Sequence, residues 1–171
     1  MPLTERLSSR VAAEALALAG SEPRGVPAVI DTNVVLDLIY WEDPHSEDLR
    51  RALEEGRIHA LRSGEAVMEL AEVLSRPAFT GDEDEAARLA ALWCSMSVPV
   101  DEEKIREAAD IITVQCRDPL DQKFFTLTLA GGAKLLVSKD ELVLKAGRKM
   151  KRYGACAFRP EETAARLDAL S

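Results

Sequence analysis

The chain has 171 residues, 47% of them apolar, enough for one domain with a substantial core and too apolar for a disordered chain. Its net charge of −8 excludes a broadly basic nucleic-acid-binding surface, and three scattered cysteines without a CxxC pair exclude a disulfide framework or a zinc knuckle. There is no apolar run long enough to span a membrane, and Glu5 and Glu14 interrupt any signal-peptide pattern, so a cytoplasmic protein is expected.

Residues 3–20 read as a helix, with Leu3, Leu7, Val11 and Ala15 in a stripe and Leu16 and Leu18 nearby. Residues 21–27, rich in Pro and Gly, break it, so residues 1–26 are read as an extension and linker and 27–171 as the main domain. Residues 28–30 have the length and branching of a buried strand that ends at Asp31. A helix follows from Asn33, with Val34, Val35, Leu38 and Ile39 on its apolar face. After a turn at 41–45, Ser46 is read as the cap of a helix that Gly56 closes. Residues 58–61 form a strand, and Ser63 opens a helix bearing Val67, Leu70, Ala71 and Leu74 that ends at Arg76-Pro77. Asp82 and Glu85 have capping-box spacing for a helix to Cys94. A strand over 98–100 precedes a helix capped by Asp101 and running through Val114. Asp118-Pro119-Leu120-Asp121 opens a helix carrying Phe124, Phe125, Thr128 and Leu129, closed by Gly131-Gly132. A strand over 134–137, a helix opened by 138–141, a strand over 155–158 and a helix over 160–170 complete the chain. This alternation predicts an α/β fold, a parallel sheet with helices on both faces.

No GxGxxG, Walker loop or nucleophile elbow is present, and no cysteine has a histidine partner. The cysteines read as small buried residues, and His45 and His59 as isolated surface or loop residues. What remains is a set of carboxylates at element junctions. Asp31 ends a strand, where it serves either a ligand or the N-cap of the next helix, with Asn33 a competing cap. Glu69 shares a helical stripe with Glu65, Glu72 and Arg76, and the stripe alone reads as a solvated face. Asp118 and Asp121 stand at N-cap and N3 of one helix, whose positive end stabilises anions with or without a metal. Ser138 and Glu141 have capping-box spacing, leaving Asp140 as a free acid in the first turn. Asp31 and Asp140 both follow strands that end at one edge of a parallel sheet, where ligands bind. Oxygen-only ligands suit Mg²⁺ or Mn²⁺, and carboxylates holding one or two such ions are the apparatus of phosphodiester hydrolysis.

Four segments resemble the motifs of PIN-domain ribonucleases, in order. They are Asp31-Thr32-Asn33 after a strand, Glu69-Leu70-Ala71-Glu72-Val73-Leu74 before Arg76-Pro77, Arg117-Asp118-Pro119-Leu120-Asp121, and Leu136-Val137-Ser138-Lys139-Asp140. The match covers about residues 27–165 and is similar to the VapC-like toxins of toxin–antitoxin pairs. The resemblance implies a three-layer α/β/α sandwich with about five parallel strands, here with an extra N-terminal helix. It implies an Mg²⁺- or Mn²⁺-dependent endoribonuclease acting on single-stranded RNA, a homodimer and a cognate antitoxin. By position it places the core acids on Asp31, Glu69, Asp121 and Asp140, with Asp118 an extra acid that serves as ligand or cap. Asn33 and Ser138 fall on the family's polar positions, where they would orient carboxylates or a water. Lys139 stands where the family often has Gly, and would contact phosphate or pair with a carboxylate.

These five acids hold five of the eight net negative charges, so the remaining surface is only mildly acidic. Lys145, Arg148, Lys149, Lys151 and Arg152 form a basic segment able to guide an RNA backbone, or simply a solvated helix end. The sequence displays no aromatic-rich run of the kind on which single-stranded bases stack. The alternative to an enzyme is a catalytically inactive module of the same fold that binds RNA or protein. A small-substrate phosphatase is less favoured, because Asp31-Thr32-Asn33 lacks the second acid of a DxD motif.

Overall fold

A computed structural model describes residues 3–16 and 22–170, with side chains from residue 5 to 13 in the first helix. Among these residues the sheet has five strands: β1 (Val26–Ile30), β2 (Ile58–Arg62), β3 (Ser97–Pro99), β4 (Leu135–Val137) and β5 (Cys156–Phe158). All neighbours are parallel, in the order β3-β2-β1-β4-β5. The switch in strand order on either side of β1 places the crevice of an open α/β sheet beyond the ends of β1 and β4.

The helices are α1 (Leu3–Leu16), α2 (Thr32–Leu36), α3 (Glu47–Glu54), α4 (Gly64–Ser75), α5 (Glu83–Ser95), α6 (Glu102–Ile111), α7 (Gln122–Ala130), α8 (Glu141–Gly147) and α9 (Thr163–Ala169). Strand alternation sorts them into two layers. Ala28, Ile30, Leu135 and Val137 face one apolar cluster, with residues of α1 to α5 and α9. Val29 and Leu136 face the other, with Phe124, Phe125 and Leu127 of α7, Val143 of α8 and Met150. The period-2 pattern of each strand thus feeds both cores, as a doubly covered parallel sheet requires.

Of the predicted first helix, residues 17–20 lie outside the described residues, and with them Leu18, read near its stripe. Leu7 and Val11 are buried in the same cluster as α4 and α5, so α1 shares the core of the sheet's first face. Arg6 bonds Glu83 at 2.8 Å and Arg10 pairs with Asp84, tying α1 to the start of α5.

Several local expectations are corrected. The helix expected through Val114 ends at Ile111, and Ile112 turns extended. The Gln122 side chain takes over the backbone bonding there, accepting from the Cys116 amide at 2.8 Å and donating to the Val114 carbonyl at 3.0 Å. Glu85 pairs with Arg88 instead of closing a capping box, while Asp82 accepts from the Asp84 amide. The Ser46 hydroxyl makes no cap, and Asp43 caps the 3-10 turn Pro44–Ser46 through the His45 amide. His59 lies on β2, half-buried, its ring 3.1 Å from the Arg24 carbonyl. Cys94 and Cys116 are buried as expected, whereas Cys156 on β5 is half-buried.

Candidate active site

β1 delivers Asp31 to the carboxyl end of the sheet as a strand that is buried on both faces. Asp31 is 3% exposed, and each of its oxygens has a partner: Oδ1 accepts from the Asn33 amide at 3.2 Å and Oδ2 from the Ser138 hydroxyl at 2.6 Å. Asp31 is therefore the cap of α2, one of its two readings from the sequence, and a buried carboxylate as well. Asn33 contributes its backbone, and its side chain is exposed.

β4 runs beside β1 and delivers Ser138 to the same edge. The Ser138 hydroxyl donates to Asp31 and accepts from the Asp140 amide at 3.0 Å, linking the two acid-bearing turns. Asp140 is the N-cap of α8, its Oδ1 accepting from the Leu142 and Val143 amides at 2.8 and 3.3 Å. This corrects the expected Ser138–Glu141 capping box. The Ser138 hydroxyl is committed to Asp31, and Glu141 pairs with Arg159.

Asp118 caps the 3-10 turn Pro119–Asp121, its Oδ1 accepting from the Leu120 amide at 2.9 Å, and Asp121 leads into α7. Glu69, in the second turn of α4, reaches the same region and ion-pairs with Lys123.

The electrostatics connect all five acids. Burial pushes the Asp31 carboxyl above its ordinary value; the Ser138 and Asn33 hydrogen bonds oppose the rise, and repulsion from Asp140 and Glu69 adds to it. Asp121 is pushed up to about 6, chiefly by burial, with repulsion from Asp31, Asp118 and Asp140 adding and Lys123 opposing. Carboxylates that repel one another across a partly dry edge fit a hard divalent cation. Among the described residues, no three acidic side chains are drawn tightly enough around one point to share an ion. The fit therefore rests on the donor chemistry and the concentrated negative charge.

Two lysines stand in this region, and the role of the first, Lys123, was missed by the sequence reading. The Lys123 side chain is only 7% exposed; besides Glu69, its ammonium donates to the Leu120 carbonyl and lies 5.0 Å from the centre of the Phe124 ring. Its position two residues after Asp121 was the available signal. The Lys139 ammonium stands 2.5 Å from Oδ2 of the buried Asp37, an ion pair without hydrogen-bond alignment. Of the two partners open to Lys139 in the sequence, the fold supplies the carboxylate. Lys145, Arg148 and Lys149 are exposed, and Arg152 donates to the Thr113 hydroxyl at 2.7 Å.

Aromatic rings do gather on the surface, contrary to the impression from the sequence. Tyr40, Trp41 and Phe79 meet with centroids 4.8 to 5.7 Å apart, and Trp41 is 57% exposed. They come from two segments nearly 40 residues apart, so no run of sequence reveals them.

A family model described as PIN domain matches residues 27–142. No curated protein matches the chain. Among solved structures, the chain is similar to a chain of VapBC2 from Rickettsia felis, a crystal structure bound to a DNA fragment from their promoter. That likeness has a TM-score of 0.57 at 13% identity and covers 78% of this chain and 98% of the other.

Proposed function

Because the chain belongs to the PIN domain family, a family of nucleases, we propose that it is a metal-dependent endoribonuclease that hydrolyses single-stranded RNA and acts as the toxin of a toxin–antitoxin pair. The observation that carries the reading is the grouping of Glu69, Asp118, Asp121 and Asp140 with Asp31 at one sheet edge, where burial and the neighbouring carboxylates raise the proton affinity of Asp31 and Asp121. One or two Mg²⁺ or Mn²⁺ ions, when bound, would supply an activated water and charge stabilisation on the phosphate.

Asp31, Glu69, Asp121 and Asp140 are the residues proposed to hold the metal, with Asp118 a further candidate beside its capping role. Ser138 holds the Asp31 carboxylate in one orientation and, through the same oxygen, fixes the amide of Asp140. Asn33 supports Asp31 by its backbone N–H. A buried acid held by such bonds, as Asp31 is, needs no rearrangement of its own when charge develops on a phosphodiester beside it. The VapBC2 likeness supports, for this chain, an antitoxin partner that blocks the site; a homodimer and a cytoplasmic location belong to the same proposal. No described helix is long and apolar enough to cross a membrane.

The test is cleavage of mixed RNAs with Mg²⁺, Mn²⁺ or EDTA, comparing the wild type with Asp31→Asn. Cleavage that needs a divalent ion and is lost in Asp31→Asn, with an unchanged melting profile, is the expected result. Equal activity of the two proteins, or activity undiminished in EDTA, overturns the reading.

One observation favours the second reading, a non-catalytic binding module: the Lys123 ammonium already neutralises Glu69. A protein whose melting temperature ignores millimolar Mn²⁺, yet which still binds RNA or a protein partner, would be that module.

A further inference from the structure

The two flanks of the acid-bearing edge differ in charge. On the α6–α7 side, a cavity of about 250 Å³ is lined by Glu65 and Glu102 with Lys123, whose charge Glu69 already takes. On the β5 side, a cleft of about 410 Å³ is lined by four cations, Arg148, Lys151, Arg159 and Arg166, against two carboxylates, Glu141 and Glu162. In a chain of net charge −8 this is a local reversal of sign.

The two carboxylates are already paired. Arg159 holds Glu141, and Arg166 lies 3.3 Å from Glu162. Arg148 and Lys151 take part in neither pair and have no acidic partner among the described residues, and both are exposed. They lie on the 3-10 turn Arg148–Tyr153, where side chains three apart stand one above the other. The cleft floor is close: a Cβ at Gly147 would lie 2.5 Å from the Ala157 Cβ, so the absence of a side chain lets the end of α8 settle onto β5.

The cleft is continuous with the acids. Arg159 follows β5 and its Nη1 donates to the Lys139 carbonyl at 3.3 Å, one residue before Asp140. The Ser138 amide donates to the Phe158 carbonyl at 3.1 Å, so the end of β5 and the acid-bearing turn form one surface. A strand whose phosphodiester lies at Asp31 and Asp140 must leave the site along a flank, and this one attracts phosphate while the other repels it.

We propose that the β5-edge cleft holds the phosphate backbone of the RNA strand next to the cleaved bond, with Arg148 and Lys151 as its contacting cations. The inference rests on the nuclease reading above. It adds Arg159 and Arg166 as the cations that hold Glu141 and Glu162 back from the strand.

The experiment measures binding of a fluorescent single-stranded oligouridylate by anisotropy across a salt series, with the full chain carrying Asp31→Asn to prevent cleavage. Adding Arg148→Ala with Lys151→Ala is expected to weaken binding and to flatten the slope of log K against log salt by about 1.4, two contacts at roughly 0.7 each. Arg51→Ala with Lys104→Ala, which removes the same charge from exposed positions that do not line the cleft, is expected to leave the slope unchanged. An unchanged slope in the cleft variant overturns the cleft assignment and leaves the nuclease reading standing. RNA that binds through the cleft but is never cut by the wild type retains the cleft and overturns the nuclease. No RNA binding at all overturns both. Tighter binding of poly-glutamate than of the RNA, lost in the cleft variant, would give the cleft to an acidic protein segment and overturn the proposal.

Discussion

At the scale of single residues, Ser138 is the most economical element of the site. Its one hydroxyl serves two acids that are 109 positions apart in the chain, Asp31 and Asp140. Ser138→Ala leaves a fully buried carboxylate oxygen without its donor, so a loss of about 1–3 kcal/mol is expected in denaturant unfolding. Mn²⁺ affinity, read by calorimetry, should fall about 10- to 100-fold, the usual result of losing a residue that orients a ligand. Asp121 gives a pH signature. Between its ordinary value of 3.8 and about 6, the folded metal-free chain binds more proton there than the unfolded chain does. Stability contributed by this group therefore falls as pH rises through that window and levels off above it. Asp31 shifts in the same direction. The checking measurement is the difference in melting temperature between the wild type and Asp121→Asn from pH 4 to 7, which should drift against the wild type. Mn²⁺ at pH 7 should reverse the drift.

At the scale of elements, Asp31, Asp118, Asp121 and Asp140 were legible because each sits at a junction with local signals. A short apolar strand before Asp31 and the Asp-Pro start before α7 are read from neighbouring residues alone. Glu69 was not legible in this way, since Glu65, Glu69 and Glu72 share a helical stripe and only the resemblance singled it out. What sets it apart in the fold is Lys123, delivered by α7 from the far side of the sheet edge. The extended segment before α7 was also missed, because its backbone bonds are made by the Gln122 side chain and by Tyr153, whose hydroxyl accepts from the Thr113 amide at 2.9 Å. Gln122→Ala is expected to cost about 1–3 kcal/mol and to speed amide exchange at Cys116, measured by hydrogen exchange. Gly147→Ala forces α8 off β5 and is expected to cost about 1–3 kcal/mol of overpacking, measured in the same unfolding assay.

At the scale of the whole molecule, the question is whether α1 is an appendage or part of the folding unit. Leu7 is fully buried against the cluster that includes α4, α5 and the sheet. Leu7→Ala should therefore cost about 2–5 kcal/mol and lower the main unfolding transition, which should remain single. A main transition unmoved by this change would make α1 a separate appendage. The sequence by itself determined the alternation of strands and helices, the parallel sheet and the placement of four acids at helix starts, because these follow from periodicity and capping within a few residues. Tertiary structure alone decided that the Ser138 hydroxyl bridges Asp31 and Asp140, that Glu69 meets Lys123, that Asp37 takes Lys139, and that β5 carries the cationic flank. Those outcomes depend on which elements the packing brings side by side, and no local window of sequence contains both partners.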